Sequence, residues 1–259
     1  MMKLSRIIEM EINYVAMFSD IKKTRFGNIT QDDRQPDKYY HNYMHVMNRQ
    51  LNQVDVSNYL TEQYEKGFAN YRIEHQIQLS KLKHILPYSV QMNGYFAQQI
   101  NQLIIPVKRV IEVSQVTIDN ADKFFEFLFE DTKVYGVPYA LGNVARQREV
   151  LFSNPNYAYY QVVEENQVIG HVNIFINGHD AKIDDFVNKD SEQKKGYGSA
   201  LMAYVIDVLK SKDIKHVYLV SDMMDTPKDM YHHWGFEHIG DYTFIHKKTG
   251  YLKENSHES

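Results

Sequence analysis

The sequence predicts an α+β protein in which helices flank a mixed central β-sheet. Two observations in the region after Pro106 indicate this class: three strand-like segments are joined by short polar turns, and helical patterns precede and follow them. A chain of 259 residues is also long enough to bury a substantial core. The region before Pro106 mixes helical and extended patterns, which predict an additional N-terminal α/β subdomain.

Pro106 is the domain boundary that the sequence favours, because the pattern becomes more regular after it. We predict an N-terminal α/β subdomain over residues 1–106, a second domain over residues 107–252 and a polar, frayed tail over residues 253–259. The predicted order in the first part is a helix over residues 4–18, a loop over 32–37, a helix over 56–68, and strand-like pieces over 71–79 and 90–95.

The second part has a predicted meander of three strands. A polar turn at Glu164–Gln167 joins the first two strands, and Asn177-Gly178 joins the second to the third because both residues tolerate positive φ. The full predicted order is a strand over residues 107–117, helices over 119–134 and 138–151, strands over 157–163, 168–176 and 181–187, a glycine-containing loop, a helix to about 210, a strand over 216–220, another helix, and a final strand pair over 236–246.

Composition excludes several classes of function. The formal net charge is −4 and no basic stripe is visible, which argues against nucleic-acid binding. The chain has no cysteine, so disulfides, thiolate catalysis and cysteine-ligated zinc are excluded. Acidic residues interrupt the N-terminal apolar runs, and no stretch approaches the roughly 18 to 20 apolar residues of a membrane span. We therefore expect a cytoplasmic protein with no membrane partner.

One short segment carries most of the functional information. Residues 193–202 read Gln-Lys-Lys-Gly-Tyr-Gly-Ser-Ala-Leu-Met and lie between a predicted strand and a predicted helix. Gly196 and Gly198 permit a tight turn, and the first N–H groups of the helix lack intrahelical partners at the positive end of the helix dipole. Such a junction suits a pyrophosphate, and nearby lysines add positive charge. The alternative is a tight strand-to-helix turn that binds nothing, since the pattern is short.

A second segment lies further along the chain. Residues 225–236 read Asp-Thr-Pro-Lys-Asp-Met-Tyr-His-His-Trp-Gly-Phe. Asp225 or Thr226 can cap a helix there, Pro227 suits its first turn and Gly235 ends it. This segment predicts a short helix before the last strands.

The two segments together resemble the GNAT (Gcn5-related N-acetyltransferase) family. Gln193, Gly196 and Gly198 match the family's Gln/Arg-x-x-Gly-x-Gly/Ala pyrophosphate loop. The second segment is similar to the family's late helix, which ends in Tyr-x-x-x-Gly-Phe, here Tyr231, Gly235 and Phe236. The resemblance covers roughly residues 107–250 and implies the acyl-CoA N-acyltransferase fold.

The resemblance implies acetyl-CoA as co-substrate and direct attack of an amine on the thioester. It also implies that the strand before the loop pairs with the pantetheine arm. The implied coenzyme-binding residues are Phe186, Val187, Gln193, Lys194, Lys195, Gly196, Tyr197, Gly198 and Ser199. The implied acceptor is a small-molecule or peptide amine, and a homodimer stays open.

The resemblance also assigns catalytic roles. Tyr231 is the implied general acid for the leaving thiolate, and the alternative is a packed aromatic residue. The position of the catalytic glutamate in histone-type relatives falls at Lys182, which cannot serve as a base. Asp184 and Asp185 are the substitutes on the same strand, and strand alternation lets at most one of them face the acceptor. Asp222 is a third candidate.

Three further expectations complete the sequence-based interpretation. The histidines of residues 171–238 lack a metal-binding spacing, so we expect surface or half-buried histidines and no metal. The first 106 residues lack a Gly-x-Gly loop between strand and helix, and they resemble a degenerate tandem acetyltransferase half. The alternative to an enzyme is a non-catalytic acyl-CoA-binding sensor or scaffold that keeps the fold.

Overall fold

A computed structural model describes residues 2–47, 53–67, 70–74, 88–224 and 227–247. The helices within these residues are α1 (Leu4–Val15), α2 (Gln53–Glu65), α3 (Ala121–Thr132), α4 (Val137–Ser153), α5 (Tyr197–Ser211) and α6 (Pro227–His233). The strands are β1 (Asp20–Lys23), β2 (Gly27–Gln31), β3 (Tyr43–Val46), β4 (Tyr71–Ile73), β5 (Tyr88–Gln99), β6 (Glu112–Gln115), β7 (Tyr157–Glu164), β8 (Gln167–Asn177), β9 (Asp180–Asn188), β10 (His216–Asp222) and β11 (Glu237–Lys247).

All these strands belong to one mixed sheet, in the order β1-β2-β3-β4-β11-β5-β10-β9-β8-β7-β6. Helices cover both of its faces: α5 and α6 pack on one face, and α1, α3 and α4 pack on the other. Alternate residues of β10 reach the two cores, with Leu219 toward α5 and Tyr218 toward α1. The predicted α+β class with a mixed sheet is therefore confirmed.

Two strands cross the boundary near Pro106. β5 precedes this proline in the chain, yet it lies between β10 and β11, antiparallel to both. β11 ends the described chain, yet its other neighbour is β4, which pairs with it over Thr243–Ile245. The two regions thus each place their last strand in the sheet of the other. The domain boundary at Pro106 stays a prediction.

The sheet contains a topological repeat. We call the chain before Pro106 the first unit and the chain after it the second unit. In the first unit β2 and β3 are antiparallel, β3 and β4 are parallel with α2 between them, and β4 meets the exchanged β11. In the second unit β8 and β9 are antiparallel, β9 and β10 are parallel with α5 between them, and β10 meets the exchanged β5. The same arrangement therefore occurs twice, on the two sides of the central β5–β11 pair.

Most local predictions match the structure. The predicted meander appears as β7, β8 and β9, with positive φ at Glu165, Asn166 and Gly178 in its turns. The predicted helices over residues 119–134 and 138–151 appear as α3 and α4. The predicted caps Asp225 and Thr226, Phe68 and the tail lie outside the described residues.

Two strand predictions were wrong in extent or pairing. The strand predicted over residues 107–117 is confined to Glu112–Gln115, and Val110 in the preceding segment is 97 % exposed because no neighbouring strand covers it. The final strand pair over residues 236–246 is a single strand, β11, and Gly240 lies at a bulge rather than at a hairpin turn. Of the strand-like piece predicted over residues 71–79, Tyr71–Ile73 form β4, and residues 75–79 lie outside the described residues.

Within the described residues, no helix combines the length and apolarity needed to cross a bilayer.

Candidate active site

The parallel strands β9 and β10 separate towards their carboxyl ends. They pair only from Asp180 with His216 to Lys182 with Tyr218, although β9 continues to Asn188 and β10 to Asp222. The divergence leaves an opening in the middle of the sheet. In open α/β sheets, ligands bind outside the carboxyl ends of parallel strands.

A β-bulge lies on the β9 side of this opening. Asp184 pairs with Asn173 and Val187 pairs with His171, so two residues of β9 oppose one residue of β8. Asp185 has a φ of 49°, which a non-glycine residue rarely adopts. The bulge interrupts the alternation of side chains, and Asp184 and Asp185 both line the same cavity. The expectation that at most one of them faces the cleft was wrong for this reason.

The glycine loop lies after β9 and leads into α5. Lys194 and Gly196 have φ values of 61° and 91°, and Gly196 is the N-cap of α5. The first helical hydrogen bond runs from the N–H of Ala200 to the carbonyl oxygen of Gly196, at 3.2 Å. The N–H groups of Tyr197, Gly198 and Ser199 therefore point beyond the N-terminus of the helix, where they suit an anion.

Gly198 has a packing role in addition. A Cβ atom at this position would lie 3.2 Å from Asn188 Nδ2 and 3.2 Å from Phe186 Cζ. A Cβ here would require the side chains of Asn188 and Phe186 to shift by a few tenths of an ångström. Gly198 therefore sets the close approach of the helix to the strand, and Phe186 packs against the core on the α5 face.

Charged side chains surround the loop. Lys194 and Lys195 are exposed, and Lys195 contacts Glu192 at 3.2 Å. The hydroxyl of Tyr197 donates to Glu164, and the guanidinium of Arg109 lies 4.0 Å from the Tyr197 ring centroid. Burial and the Glu164 carboxylate raise the pKa of Tyr197 to about 12.

A cavity of about 620 Å³ lies on the α1, α3 and α4 face of the sheet beside the opening. Its size is within the range of small-molecule sites. Its lining includes Glu11, Tyr14, Asp37, Lys38, Tyr39, Tyr40, His41, Tyr43, Arg72, Gln91 and Asn93 from the first unit and Asp131, Tyr135, Tyr139, Asn173, Lys182, Asp184, Asp185, Val187, Asp222 and Tyr242 from the second. Both units thus contribute to its walls.

The candidate aspartates differ in their partners. Asp184 is ion-paired with Lys182 at 3.0 Å. Asp185 accepts a hydrogen bond from the Tyr159 hydroxyl at 2.8 Å, and His171 Nδ1 lies 3.9 Å from its Oδ2. Asp184 is therefore already neutralised, whereas Asp185 is free to interact with a ligand.

Asp222 lies across the opening, at the end of β10. Its Oδ2 accepts from Gln91 Nε2 at 3.0 Å, and its Oδ1 accepts from the N–H of Met224 at 2.8 Å. These neutral donors fix the carboxylate without cancelling its charge. Gln91 comes from β5, so the exchanged strand orients this group.

A buried ionic network underlies the cavity. Glu11 accepts hydrogen bonds from Arg72 at 2.8 Å and from the Tyr218 hydroxyl at 2.8 Å, and it is ion-paired with Lys182 at 2.9 Å. Burial by itself raises the pKa of Glu11, but Lys182 and Arg72 lower it to about 2. Lys182 is thus a structural cation, in agreement with the view that it cannot act as a base.

Tyr231 lies on the other face of the sheet. It belongs to the core beneath α5 and α6, and its ring contacts Phe96, Trp234 and Phe236 at centroid distances of 6.3, 5.8 and 6.1 Å. Trp234 in turn lies 6.4 Å from Phe186 of β9. α6 therefore sits close to the end of β9, while the hydroxyl role of Tyr231 remains a prediction.

The histidine expectation was wrong at one position. His171 is completely buried, because α3 packs Phe124 and Phe127 against its ring at 5.5 Å. Its two ring nitrogens have no hydrogen-bond partner among the described residues. In that same part of the chain, no group of three or more potential metal ligands comes together.

Several cavity residues escaped sequence reasoning. Asn173 and Asp131 line the cavity, and Tyr159 donates to Asp185 at its edge; these residues lie on strands and a helix whose relative positions depend on long-range pairing. Lys38 and Gln91 come from the first unit. No local sequence pattern distinguishes these residues from ordinary surface or core positions.

Residues 122–236 match the sequence model of the acetyltransferase (GNAT) family. This part of the chain is therefore similar to the GNAT acetyltransferases. No curated protein matches the sequence. The matched region includes α3 to α6, the glycine loop and the opening between β9 and β10.

Solved structures share the fold of this protein. A functionally unknown conserved protein from Staphylococcus epidermidis has a TM-score of 0.71 at 19% identity, covering 92% of this chain and 98% of that one. A GCN5-related N-acetyltransferase from Kribbella flavida has a TM-score of 0.66 at 11% identity, covering 97% and 98%. A tandem GNAT protein from the clavulanic acid biosynthesis pathway has a TM-score of 0.51 at 10% identity, covering 84% and 77%. These likenesses establish the acyl-CoA N-acyltransferase fold across both units.

Proposed function

We propose that this protein transfers an acetyl group from acetyl-CoA to an amine by direct attack of the amine on the thioester. The observation that supports this most strongly is the position of the glycine loop. The loop places free N–H groups at the start of α5, directly after the strand that borders the opening in the sheet. A pyrophosphate at the helix N-terminus would leave the pantetheine arm free to run along β9 towards that opening.

The coenzyme would be held mainly by the second unit. Backbone N–H groups of Gln193–Ser199 would bind the pyrophosphate, with Lys194 and Lys195 adding positive charge, and the backbone at Phe186 and Val187 would pair with the pantetheine arm. The corresponding β3–α2 connection of the first unit, residues 47–52, reads Met-Asn-Arg-Gln-Leu-Asn and contains no glycine. The first unit would instead line part of the acceptor cavity.

Asp185 is the better of the two adjacent candidates for the general base. Direct attack requires a neutral amine, so a base must remove one proton from the ammonium form of the acceptor. Asp184 is ion-paired with Lys182, whereas the carboxylate of Asp185 lines the cavity without a close cation. Tyr159 would hold Asp185 in position by its hydrogen bond.

Tyr231 is proposed as the general acid. The amine nitrogen forms a bond to the carbonyl carbon, and the tetrahedral intermediate then expels the thiolate of coenzyme A. The thiolate takes a proton from the Tyr231 hydroxyl, the nitrogen loses its second proton to solvent as the amide forms, and solvent returns a proton to the tyrosinate. Tyr231 and Asp185 lie on opposite faces of the sheet, so the opening between β9 and β10 would place the thioester between acid and base.

The burial of Tyr231 favours a second candidate function. Only 8 % of its surface is exposed, which is compatible with a packing role and hence with a non-catalytic acyl-CoA sensor. A sensor would bind the coenzyme without turnover.

The deciding experiment measures two quantities on the full chain. Calorimetry gives the affinity for acetyl-CoA, and a thiol assay gives coenzyme A release with pooled amines. We expect both binding and amine-dependent release. Binding without release on a broad amine panel would support the sensor, and absence of binding would refute both functions.

A further inference from the structure

The acceptor cavity carries an excess of negative charge. Six carboxylates line it, against three cationic side chains if the histidines are left aside: Glu11, Asp37, Asp131, Asp184, Asp185 and Asp222 against Lys38, Arg72 and Lys182. Arg72 and Lys182 are engaged with Glu11 and Asp184, and Arg72 also binds the buried Glu74 behind the lining. The remaining carboxylates are therefore available to positive charge on a ligand.

Three of these carboxylates have no ion-pair partner among the described residues: Asp37, Asp131 and Asp222. Burial raises the pKa of Asp131, and the neighbouring Asp185 and Asp190 raise it further against the opposing effect of His171. This repulsion between carboxylates would be relieved by a cation between Asp131 and Asp185.

A buried acceptor atom gives an independent indication of a hydrogen-bond donor in the ligand. Asn173 lines the cavity, is 1 % exposed, and its Oδ1 has no hydrogen-bond partner among the described residues. It pairs in the sheet with Asp184, next to Asp185. Buried polar atoms are rarely left unsatisfied, so an N–H donor of a ligand would complete this position.

The walls are built from tyrosines that suit an organic cation. Tyr14, Tyr39, Tyr40, Tyr43, Tyr135, Tyr139 and Tyr242 line the cavity. Two of these rings already contact protein cations: Lys182 Nζ lies 3.9 Å from the Tyr14 centroid, and the Arg72 guanidinium lies 4.0 Å from that of Tyr242. Aromatic faces attract ammonium groups, which adds to the attraction of the carboxylates.

The carboxylates form two groups on either side of the opening. Asp184 and Asp185 lie on β9, and Asp131 is on the neighbouring α3. Asp222 lies on β10, which diverges from β9, and it is fixed there by Gln91 and by the N–H of Met224. A ligand with one nitrogen at Asp185 can therefore place a second positive charge at Asp222.

We propose that the acceptor is a di- or polyamine, whose reacting nitrogen lies at Asp185 while a second ammonium group binds Asp222. This inference rests on the proposed acetyl transfer, since it names the substrate class of the same site. A single amine, an amino acid with a free carboxylate, or an acidic peptide would leave the second carboxylate group unmatched or repelled.

The test compares acceptors that differ only in the second charge. Rates of coenzyme A release are measured with 1,4-diaminobutane and spermidine, with n-butylamine as the single amine, and with 6-aminohexanoate as the carboxylate control. We expect kcat/KM for the two polyamines to exceed that for n-butylamine by about 10²-fold, and to fall as salt is raised because exposed charges are screened. Equal or better use of n-butylamine or 6-aminohexanoate would overturn the polyamine assignment while leaving acetyl transfer intact.

A variant pair tests the role of Asp222. In Asp222→Asn the ratio of kcat/KM for 1,4-diaminobutane to that for n-butylamine should fall at least about tenfold, chiefly through KM. Asp207→Asn, an exposed position on α5 away from the cavity, should leave the ratio unchanged. An unchanged ratio in Asp222→Asn would refute the assignment of this residue.

Binding measurements separate the two proposals. Calorimetry of spermidine is carried out with coenzyme A present. Spermidine binding without acetylation would refute the enzyme function but retain the ligand class. Acetylation of other amines without spermidine binding would refute the ligand class but retain the enzyme function. Neither binding nor acetylation would refute both.

Discussion

At the scale of single residues, the bulge in β9 brings two aspartates to the same side of the sheet with different partners. Asp184 is tied to Lys182, and Asp185 is oriented by Tyr159. A strand without the bulge would have turned one of them towards α5. The difference in chemistry between two identical side chains therefore comes from their neighbours.

The two aspartates make a matched pair for mutagenesis. Asp185→Asn should lower kcat by on the order of 10² to 10⁴, the usual contribution of a positioned base. Asp184→Asn should change kcat much less, because its main partner is the buried Lys182. Steady-state rates at saturating acetyl-CoA check this, with unfolding midpoints as the control for folding. Equal losses of kcat in the two variants would contradict the assignment of Asp185.

Tyr231→Phe tests the proposed acid. The substitution removes one oxygen and keeps the ring contacts with Phe96, Trp234 and Phe236, so the fold should survive. We expect kcat to fall by roughly 10² to 10⁴ and the affinity for coenzyme A to change little. The loss should shrink with acyl donors whose thiol is less basic. A near-normal kcat would return Tyr231 to a purely packing role.

At the scale of elements, the N-terminus of α5 links a local sequence pattern to the coenzyme. The positive end of the helix and the free N–H groups of its first turn both favour an anion. Substitution of Gly198 makes a poor test of this, because a side chain there would also displace the side chains of Phe186 and Asn188. A charge placed in the first turn without a steric change is more informative.

Ser199→Asp provides such a charge. A carboxylate in the first turn interacts favourably with the helix dipole, so folding stability should not fall, but it should repel the pyrophosphate and weaken coenzyme A binding at least about tenfold. Ser211→Asp, at the opposite end of the same helix, is the matched control. Twelve residues of helix separate the two positions by about 18 Å. If calorimetry finds the same affinity in both variants, the coenzyme does not bind at this helix terminus.

The outcome of sequence reasoning differed between these elements for physical reasons. The loop, α5 and the β7–β9 meander were predictable because glycine positions, turns and periodicity are local properties. The bulge at Asp185 and the pairing of β11 with β4 were not, because both depend on partners far away in the chain. The lining of the cavity follows from those pairings, so Lys38, Gln91 and Asn173 carried no recognisable signal.

At the scale of the whole molecule, buried ionisable groups make stability depend on pH. Burial and the cation Lys38 lower the pKa of His41 to about 3, against the opposing effect of Asp32, and burial lowers the pKa of His45. Burial alone would raise the pKa of Glu74, but Arg72 and His45 bring it to about 2. These groups bind fewer protons in the folded state than in the unfolded state.

Stability should therefore fall as the medium becomes acidic. For His41 the loss begins below the unfolded pKa of about 6.5 and continues to about pH 3, with a slope of about 1.4 kcal/mol per pH unit for each such histidine. Glu74 adds to the loss between about pH 4.5 and 2. Chemical denaturation at several pH values between 5 and 7 gives the free energy of unfolding as a function of pH. This free energy should change less per pH unit in His41→Gln than in the natural protein. The control His179→Gln changes a side chain that is 69% exposed; a His41→Gln slope equal to that of the natural protein would contradict the prediction.

The exchange of strands predicts that the second unit does not fold alone. A fragment of residues 107–259 lacks β5, which pairs with β10 over seven positions and also with β11. We expect this fragment to unfold without cooperativity or to aggregate, and co-expression with residues 1–106 to restore a folded complex. Circular dichroism and size-exclusion chromatography measure both. A monomeric, cooperatively folded fragment would contradict the structural role of β5.

The exchange also sets the order in which the molecule is completed on the ribosome. β4 is synthesised by Ile73, but the strand that covers its edge, Thr243–Ile245 of β11, follows about 170 residues later. At 5–20 residues per second the nascent chain would present that open edge for roughly 10 to 30 s. An unpaired strand edge is a template for pairing with other chains. The sheet of the first unit therefore closes only after β11 has been synthesised, and termination before β11 leaves β4 without its partner strand.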